Sequence, residues 1–449
     1  MRTQTDLGIF KSYDIRGIYP TQLDEHAAEL IGRAFVRFLG CSTVAVGRDM
    51  RASSEPLFAA FARGATAAGA DVIDLGLTST DELYFAVGHY GYPAGAMITA
   101  SHNPKEYNGF KLCRENAIAL SAETGVYAIR DLVATAEAGA AARPGRVLQR
   151  DALADFAEHC LSFIDRSAVK PLKVVIDCGN GMGGLIVPAI FEHLPVQVVP
   201  LFFELDGAFP NHPASPIEPE NMVDLQRAVR EHHADLGAAF DGDADRVFIT
   251  DERGELVGGD MVTALVAEML LRKYPGSKIL YNLICSRSVP EIVQATGGVP
   301  IRTRVGHSII KAVMREQDAI FGGEHSGHFY FRDHYFADSG LIALLIVLEL
   351  ASREGKPISE LLAPLDTRKR SGEINSRVDD IPAKLAQLEA RYADAREIDH
   401  LDGVTIQYAD WWCNIRPSNT EPLLRLNVEA DTPELLARKT AELLDLIRD

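Results

Sequence analysis

The chain has 449 residues, 47% of them hydrophobic, and its 45 lysines and arginines against 63 aspartates and glutamates give a net charge of -18. That length suggests about three domains, and the acidic balance excludes a general nucleic-acid binder, which needs a basic face, but not an anionic substrate held by a few arginines focused in a cleft. Six scattered cysteines form no CxxC pair, which argues against zinc and a disulfide framework and for reduced thiols in the cytoplasm.

In chain order, MRTQTDLGIFKSYDIRG carries no apolar run suited to a signal peptide and supplies Tyr13 and Arg16. STVAVGRDMRASS predicts a short strand over 43–46, polar residues after it, and then a small-residue helix in FAAFARGATAAGA. LKVVIDCGNGMGGLIVPAIFEHL repeats that order, with a strand over 174–177, a Gly-rich turn and a helix. SKILYNLICSRSVPEIVQATG repeats it again, with a strand over 279–284 and a turn opened by Ser286. Each unit continues into a further β segment, ADVIDLG, VQVVPL or VPIRTRV. Such alternation favours α/β layers with largely parallel strands. A later apolar strand of each unit runs into a polar loop: AGAMIT into ASHNP, LGAAF into DGDADR, and AIF into GGEHSGH. Ligands gather at the carboxyl ends of strands in α/β sheets, so the three loops are expected to line one cleft.

LIALLIVLELA, the most apolar segment, is too short to span a bilayer and predicts a buried helix, so no membrane partner is expected. AEAGAAARPGRV and DTRKRSGEI read as junctions, and VFITDERGELVGGD as a hairpin closing the second unit. In the tail, amphipathic KLAQLEARYADA, strands around GVTIQYADWWCNIRP and LLRLNVEA, and helix PELLARKTAELLDLI suggest a small α+β domain. The expected architecture is three similar mixed-sheet α/β domains, 1–147, 148–256 and 257–369, and a smaller C-terminal α+β domain, 370–449, around one central cleft.

The loops carry the chemistry. TASHNPKEYNGFK, residues 99–111, follows the apolar AGAMI and contains Pro104, Gly109 and two asparagines, so it predicts a loop presenting Ser101 beside His102, Asn103 and Lys111. Alone, Ser101 reads equally as a turn residue or a helix N-cap. DGDADR sets Asp241, Asp243 and Asp245 at alternating positions. Carboxylates so close repel one another unless a cation neutralises them, which implies a hard divalent metal. With Glu252 they match the ligand spacing of a calcium EF-hand, but Arg246 stands where that loop requires glycine, and the flanks read as strands. Mg²⁺ fits better, and Arg246 beside it suits a phosphate ester. In GGEHSGH, Glu324 can accept two hydrogen bonds from neighbouring sugar hydroxyls, with Ser326 and His328 close by. RPSNTEP offers the donors Arg416, Ser418, Asn419 and Thr420, and a tight turn would expose backbone N–H groups to an anion. RVGHSIIK places Gly306 and His307 at a turn entering a helix.

As an ensemble, these loops resemble those of the α-D-phosphohexomutase family along essentially the whole chain. TASHNP looks like its phosphoserine loop, DGDADR its metal loop, GEHSGH its sugar loop and RPSNTEP its phosphate loop. The pairing of GEHSGH with RPSNTEP is most similar to the phosphomannomutase/phosphoglucomutase branch, whose sugar loop usually reads GEMSGH. The phosphoglucosamine branch tends to carry GEQSGH and a glycine in place of Asn419. One departure is in NLICSR, where the mannose/glucose enzymes often have a lysine and this chain has Ile284, so that a cationic substrate contact is either missing or supplied by another residue, such as Arg302 or Arg304.

The resemblance implies an isomerase that moves a phosphoryl group between O1 and O6 of a hexose phosphate, mannose or glucose. The route would be a phosphoserine at Ser101 and hexose 1,6-bisphosphate, both activator and intermediate. A single Mg²⁺ would be held by Asp241, Asp243, Asp245 and a phosphoserine oxygen, with Arg246 assisting. His102 and Lys111 would orient or protonate the serine oxygen, while Arg16 and His307 would handle the proton at the sugar hydroxyl. RPSNTEP would hold the non-reacting phosphate and Glu324 and Ser326 the sugar, with Tyr13, Gly306 and His328 completing the substrate site. The alternatives are a phosphoglucosamine mutase, a Mg²⁺-dependent sugar phosphatase passing phosphate to water, and a silent sugar-phosphate binding protein.

Overall fold

The structure is a computed structural model and describes residues 5–135, 141, 143–418 and 423–449; of these, the side chain of His307 is not described. Three of its four sheets repeat one plan. In the first, Thr43–Arg48 lies between Asp71–Leu77 and Ala94–Ile98, parallel to both, and Tyr107–Arg114 returns antiparallel beside Ala94–Ile98. Lys173–Asp177, Gln197–Leu201, Leu236–Phe240 and Val247–Thr250 take the same four places in the second sheet. Lys278–Asn282, Val299–Thr303, Phe321–Gly323 and Phe329–Phe331 take them in the third. The repeat read in the sequence is therefore a repeat of topology, and every unit carries its parallel strands' carboxyl ends to one edge. AGAMI and LGAAF are buried at every residue, as central strands covered on both faces must be.

The first sheet is extended by Ile15–Ile18, antiparallel to Tyr107–Arg114, and by Val147–Gln149, parallel to Asp71–Leu77. LIALLIVLELA lies in the helix Gly340–Glu354, which is buried throughout 340–352. That helix belongs to one apolar cluster with the strands and helices of the second unit, so the second and third units share a core. Glu349, buried on that helix, is matched by Lys273 and Arg353, both at 2.8 Å. The last sheet is wholly antiparallel, ordered Lys369–Arg377, Leu423–Ala430, Trp411–Pro417, Val404–Gln407, Glu397–Asp399. Helices Ile381–Arg391 and Pro433–Arg448 add Leu388, Leu435, Leu443 and Ile447 to its core. Three mixed-sheet α/β domains and a smaller α+β domain are the observed architecture. Among the described residues no helix is long and apolar enough to cross a membrane.

Two segments depart from the sequence reading. Residues 99–111 are not all loop, because Tyr107–Arg114 is a strand that carries Lys111. Asn108 and Gly109 imitate a turn, but Gly109 serves close strand pairing: a Cβ there would sit 2.0 Å from the Ile15 carbonyl oxygen. In the third unit the strand stops at Asn282 rather than 284, where the Asn282 carbonyl accepts from the Cys285 N–H and closes a turn. The AEAGAAARPGRV junction lies largely outside the described residues.

Candidate active site

The strand Ala94–Ile98 leads into Ser101, which is 2% exposed and has a left-handed backbone, φ 50°. That conformation costs a non-glycine residue on the order of 1 kcal/mol and is held by its neighbours. The Ser101 N–H donates to Thr99 Oγ1 at 2.8 Å, and its carbonyl accepts from Arg51 at 2.8 Å. Its hydroxyl donates to Asp241 Oδ2 at 2.6 Å and lies 3.2 Å from His102 Nδ1. A turn residue with no further task would not aim its hydroxyl at a carboxylate of another domain.

The strand Leu236–Phe240 brings in that carboxylate. Asp241, Asp243 and Asp245 are at most 1% exposed, and one oxygen of each lies within 4.8 Å of the others. Ala244, at φ 62°, turns the chain between them. Asp243 Oδ2 accepts from Thr80 Oγ1 at 2.6 Å and from Lys111 Nζ at 2.7 Å, and Asp245 Oδ2 accepts from Lys111 Nζ at 2.5 Å. Asp243 Oδ1 and Asp245 Oδ1 are buried and accept no hydrogen bond. Buried carboxylate oxygens are seldom left so, and a hard cation with oxygen ligands fits them. Strands flank the loop on both sides, which rules out a helix–loop–helix calcium site.

The charges of this cluster are strongly coupled. Burial, with Asp245 and Asp243, pushes Asp241 well above the ordinary carboxylate range. Burial acts the same way on Asp243 and Asp245, but Lys111 with other favourable contacts more than offsets it and holds both below their usual value. Burial would lower Lys111, yet the Asp243 and Asp245 carboxylates prevail and keep it protonated. Arg246, burial and Arg16 drive His102 well below the ordinary histidine value, so its ring is neutral.

The third loop meets the second directly. Arg246 and His328 pair as an isolated bridge between strands, with Arg246 Nε donating to His328 Nε2 at 3.0 Å while lying 3.6 Å from Asp241 Oδ2. Ser326 Oγ donates to Glu324 Oε2 at 2.7 Å and sits 3.1 Å from His328 Nδ1. Arg16 donates to the Ala100 carbonyl at 2.7 Å and to Asn103 Oδ1 and Asp14 Oδ2, each at 2.5 Å. Arg16, Ser101, His102, Lys111, Arg246 and His328 line a cleft of about 270 Å³ together with Tyr13. Tyr13 also lines a second cavity of about 210 Å³, formed with Gly306, Asp402, Arg416, Ser418 and Arg425. Gly306, at φ 138°, passes so close to Tyr13 that a Cβ would lie 3.1 Å from its hydroxyl. Arg416 and Arg425 donate to the two oxygens of Glu373 at 2.5 and 3.1 Å.

Of the residues singled out in the sequence, Asn419 and Thr420 lie outside the described residues, and His307 opens the helix His307–Gln317 with its side chain undescribed. Arg302 pairs with Asp399 and Arg304 is exposed; neither lines the two cavities. Sequence reasoning missed Arg51, Thr80, Arg425 and Glu373, and also Lys311, whose ammonium is 2.6 Å from Asp338 and 4.3 Å from the Tyr84 ring. GRDMR, the polar end of the strand Thr43–Arg48, was the available signal for Arg51.

Four family models match in chain order: phosphoglucomutase/phosphomannomutase alpha/beta/alpha domain I over 8–139, domain II over 153–254, domain III over 258–367 and the C-terminal domain over 373–446. Phosphohexose mutases of Xanthomonas campestris pv. campestris are 43% identical over 445 residues, covering 98% of this chain and 99% of theirs. A phosphomannomutase of Salmonella typhimurium is 43% identical over 460 residues, covering 99% of each chain. The crystal structure of a phosphoglucomutase/phosphomannomutase family protein from Burkholderia thailandensis superimposes with a TM-score of 0.91 at 34% identity, covering 99% of this chain and 97% of the other. Matched over its whole length, this chain belongs to the phosphoglucomutase/phosphomannomutase family and is a phosphohexose mutase, an isomerase.

Proposed function

We propose that the chain interconverts the 1- and 6-phosphates of mannose or glucose by passing a phosphoryl group through Ser101, with hexose 1,6-bisphosphate as the intermediate. The observation that carries this reading is the Ser101 hydroxyl 2.6 Å from Asp241, in a cleft that shares Tyr13 with a second, arginine-lined cavity. One cavity suits the reacting end of a phosphosugar and the other its distant phosphate.

Cleavage of a phosphate monoester is among the slowest uncatalysed reactions, so a lone serine would achieve nothing. Asp241, Asp243, Asp245 and an oxygen of phosphorylated Ser101 would hold one Mg²⁺, which supplies positive charge where negative charge develops on the transferred group. In the first half-reaction the O6 hydroxyl of a hexose 1-phosphate attacks the phosphoserine phosphorus, the P–Oγ bond breaks, and the hydroxyl proton passes to a base of the cleft. Arg16, fixed by Asp14, Asn103 and the Ala100 carbonyl, faces that hydroxyl; His307 is the other proton-handling residue. Neutral His102, 3.2 Å from Oγ, orients the serine and exchanges its proton, while Lys111 and Arg246 bring cationic charge. After the bisphosphate turns end over end, Oγ attacks the O1 phosphate and the hexose 6-phosphate leaves. Glu324, Ser326 and His328 grip sugar hydroxyls in both orientations, and Arg416, Ser418, Asn419 and Thr420 hold the phosphate that does not react. Six cysteines outside any disulfide are in keeping with a cytoplasmic enzyme.

The test is a pair of matched turnover assays on mannose 1-phosphate and glucose 1-phosphate, with Mg²⁺, a trace of bisphosphate and a free-phosphate monitor. Isomerisation without phosphate release, and a loss of at least about 10³-fold in Ser101→Ala, is expected for a covalent carrier. Release of phosphate without isomerisation, or an active Ser101→Ala enzyme, would refute the reading.

A further inference from the structure

We infer that Arg51 is a positioning residue for phosphoryl transfer, fixing the loop that presents Ser101; the inference rests on Ser101 being the phosphoryl carrier. Arginine has five N–H donors in a rigid planar fork, and at Arg51 each is used. Nε donates to Asp49 Oδ2 at 3.2 Å. One terminal nitrogen donates to the carbonyls of Pro104 and Tyr107, at 2.8 and 3.1 Å. The other donates to the carbonyls of Ser101 and Asn103, at 2.8 and 2.7 Å. Four carbonyls of the stretch 101–107 thus converge on one cation.

Around that cation the fold is closed. Arg51 is 3% and Asp49 1% exposed, and Asp49 Oδ1 also accepts from the Arg51 N–H at 3.1 Å and from Ser54 Oγ at 2.5 Å. The second domain covers the guanidinium with the Phe209 ring, 5.0 Å away, and brings Gly207 so close that a Cβ there would lie 2.5 Å from Arg51 Cα. The loop has no apolar filling of its own, since residues 102–107 are exposed or half-buried. Arg51 takes the place of that filling.

The consequence reaches the reacting atom. Ser101 keeps φ 50° because its N–H is tied to Thr99 and its carbonyl to Arg51. Its φ and ψ decide where Oγ points. A lysine would keep the charge but offers three donors on a tetrahedral head, which cannot span four carbonyls arranged about a plane. Substitution therefore displaces Oγ while leaving the phosphate cavity around Arg416 untouched, and displacement of a reacting group by about 1 Å costs on the order of 10²-fold in rate.

The experiment compares Arg51→Lys with wild type and Ser101→Ala, using kcat and KM for hexose 1-phosphate, Ser101 phosphorylation by intact mass after incubation with bisphosphate, and hydrogen exchange across the chain. The expected result for Arg51→Lys is a cooperative thermal transition, KM within about threefold, kcat lower by about 10²-fold, slowed Ser101 phosphorylation, and faster exchange confined to residues 99–107. A kcat within about threefold of wild type, or faster exchange spread evenly over the first domain, overturns the inference. Should Arg51→Lys not fold, Asp49→Asn, which removes the counter-charge and keeps the shape, is expected to lower kcat about tenfold at unchanged KM, and a wild-type kcat there overturns it equally. A wild-type protein that isomerises no hexose phosphate would instead refute the phosphoserine reading, and exchange at 99–107 would still decide whether Arg51 holds the loop.

Discussion

Gly242 separates the first two aspartates of DGDADR, and the substitution Gly242→Ala tests how closely the metal loop and the serine loop are fitted. A Cβ at Gly242 would lie 2.4 Å from the Ser101 carbonyl oxygen and 3.3 Å from its carbon, and such contacts are not found under 3.0 Å. The two loops must therefore part by at least about 0.6 Å. The Ser101 carbonyl cannot simply rotate away, because Arg51 holds it at 2.8 Å. The gap opens where the Ser101 hydroxyl meets Asp241, now 2.6 Å apart, and carries that bond to about 3.2 Å, past the range of a good O–H···O hydrogen bond. The backbone at Gly242 is not left-handed, so the effect is steric rather than conformational. Turnover of hexose 1-phosphate with saturating bisphosphate and Mg²⁺ is expected to fall about 10²-fold, and overpacking to lower stability by about 1–3 kcal/mol in thermal or urea unfolding. An alanine variant with activity within about threefold of wild type would refute the reasoning, because loops that yield that easily do not set the serine's position.

Chelation with EDTA should abolish turnover and added Mg²⁺ restore it. Calorimetry should show Asp243→Asn losing Mg²⁺ binding and Thr80→Val, which removes the 2.6 Å hydrogen bond to Asp243 Oδ2, weakening it about 10- to 100-fold. Arg416→Ala should raise KM for hexose phosphates at least about tenfold, as expected when a charged contact to a phosphate is removed, and lower kcat less; a KM unchanged in steady-state assays would show that the second cavity binds no phosphate. His159 and His334, 3.1 Å apart at the join of the second and third domains, predict an acid sensitivity away from the active site. Burial and then His89 push His159 down from 6.5 to about 4, and burial and then His159 push His334 well below the same value. Both are lowered on folding, so the unfolded chain takes up protons first: stability is constant above about pH 6.5, falls as pH drops, and levels off below the folded value. From pH 7 to pH 5 His159 alone should remove about 2 kcal/mol, measured by urea unfolding, and His159→Phe should flatten that slope.

The parts of the site visible in the sequence are those whose chemistry crowds unusual residues into one short loop. Asp241, Asp243 and Asp245 stand out because three carboxylates at alternating positions have no reason to follow LGAAF unless something binds there. Ser101 gains meaning from His102, Asn103 and Lys111 around it. The residues that hold these groups in place carry no such mark. Thr80 reaches an aspartate 163 positions away, and nothing local distinguishes it from any helix-opening threonine. Arg51 looks like a surface arginine until residues 101–107 fold over it. Gly109 was misread for the opposite reason, since a glycine that relieves a turn and one that admits a neighbouring strand are written alike. The repeat was legible because its topology rests on apolar runs and their order, whereas the ends of strands, as at Asn282, depend on single hydrogen bonds.

Charge explains why the site combines these residues as it does. With Asp241, Asp243 and Asp245 all ionised, as a bound cation would require, the two cations in contact with them, Lys111 and Arg246, leave one negative charge in excess. Nearby, Arg16 is paired with Asp14, Arg51 with Asp49 and Lys311 with Asp338. With a divalent cation alone the excess becomes positive, and with a phosphoserine dianion alone it grows to three negative charges; in so buried a place either state is expensive. With both, the original balance returns. On the proposed mechanism a phosphoryl group on Ser101 and a cation beside it would therefore stabilise one another, which requires the serine hydroxyl and the three aspartates to share one cluster, and the Ser101 hydroxyl does lie 2.6 Å from Asp241. On the same reading the phosphate that does not react would find its own arginines, Arg416 and Arg425, in a separate cavity, while the loop around Glu324 adds hydroxyl and imidazole groups suited to a sugar.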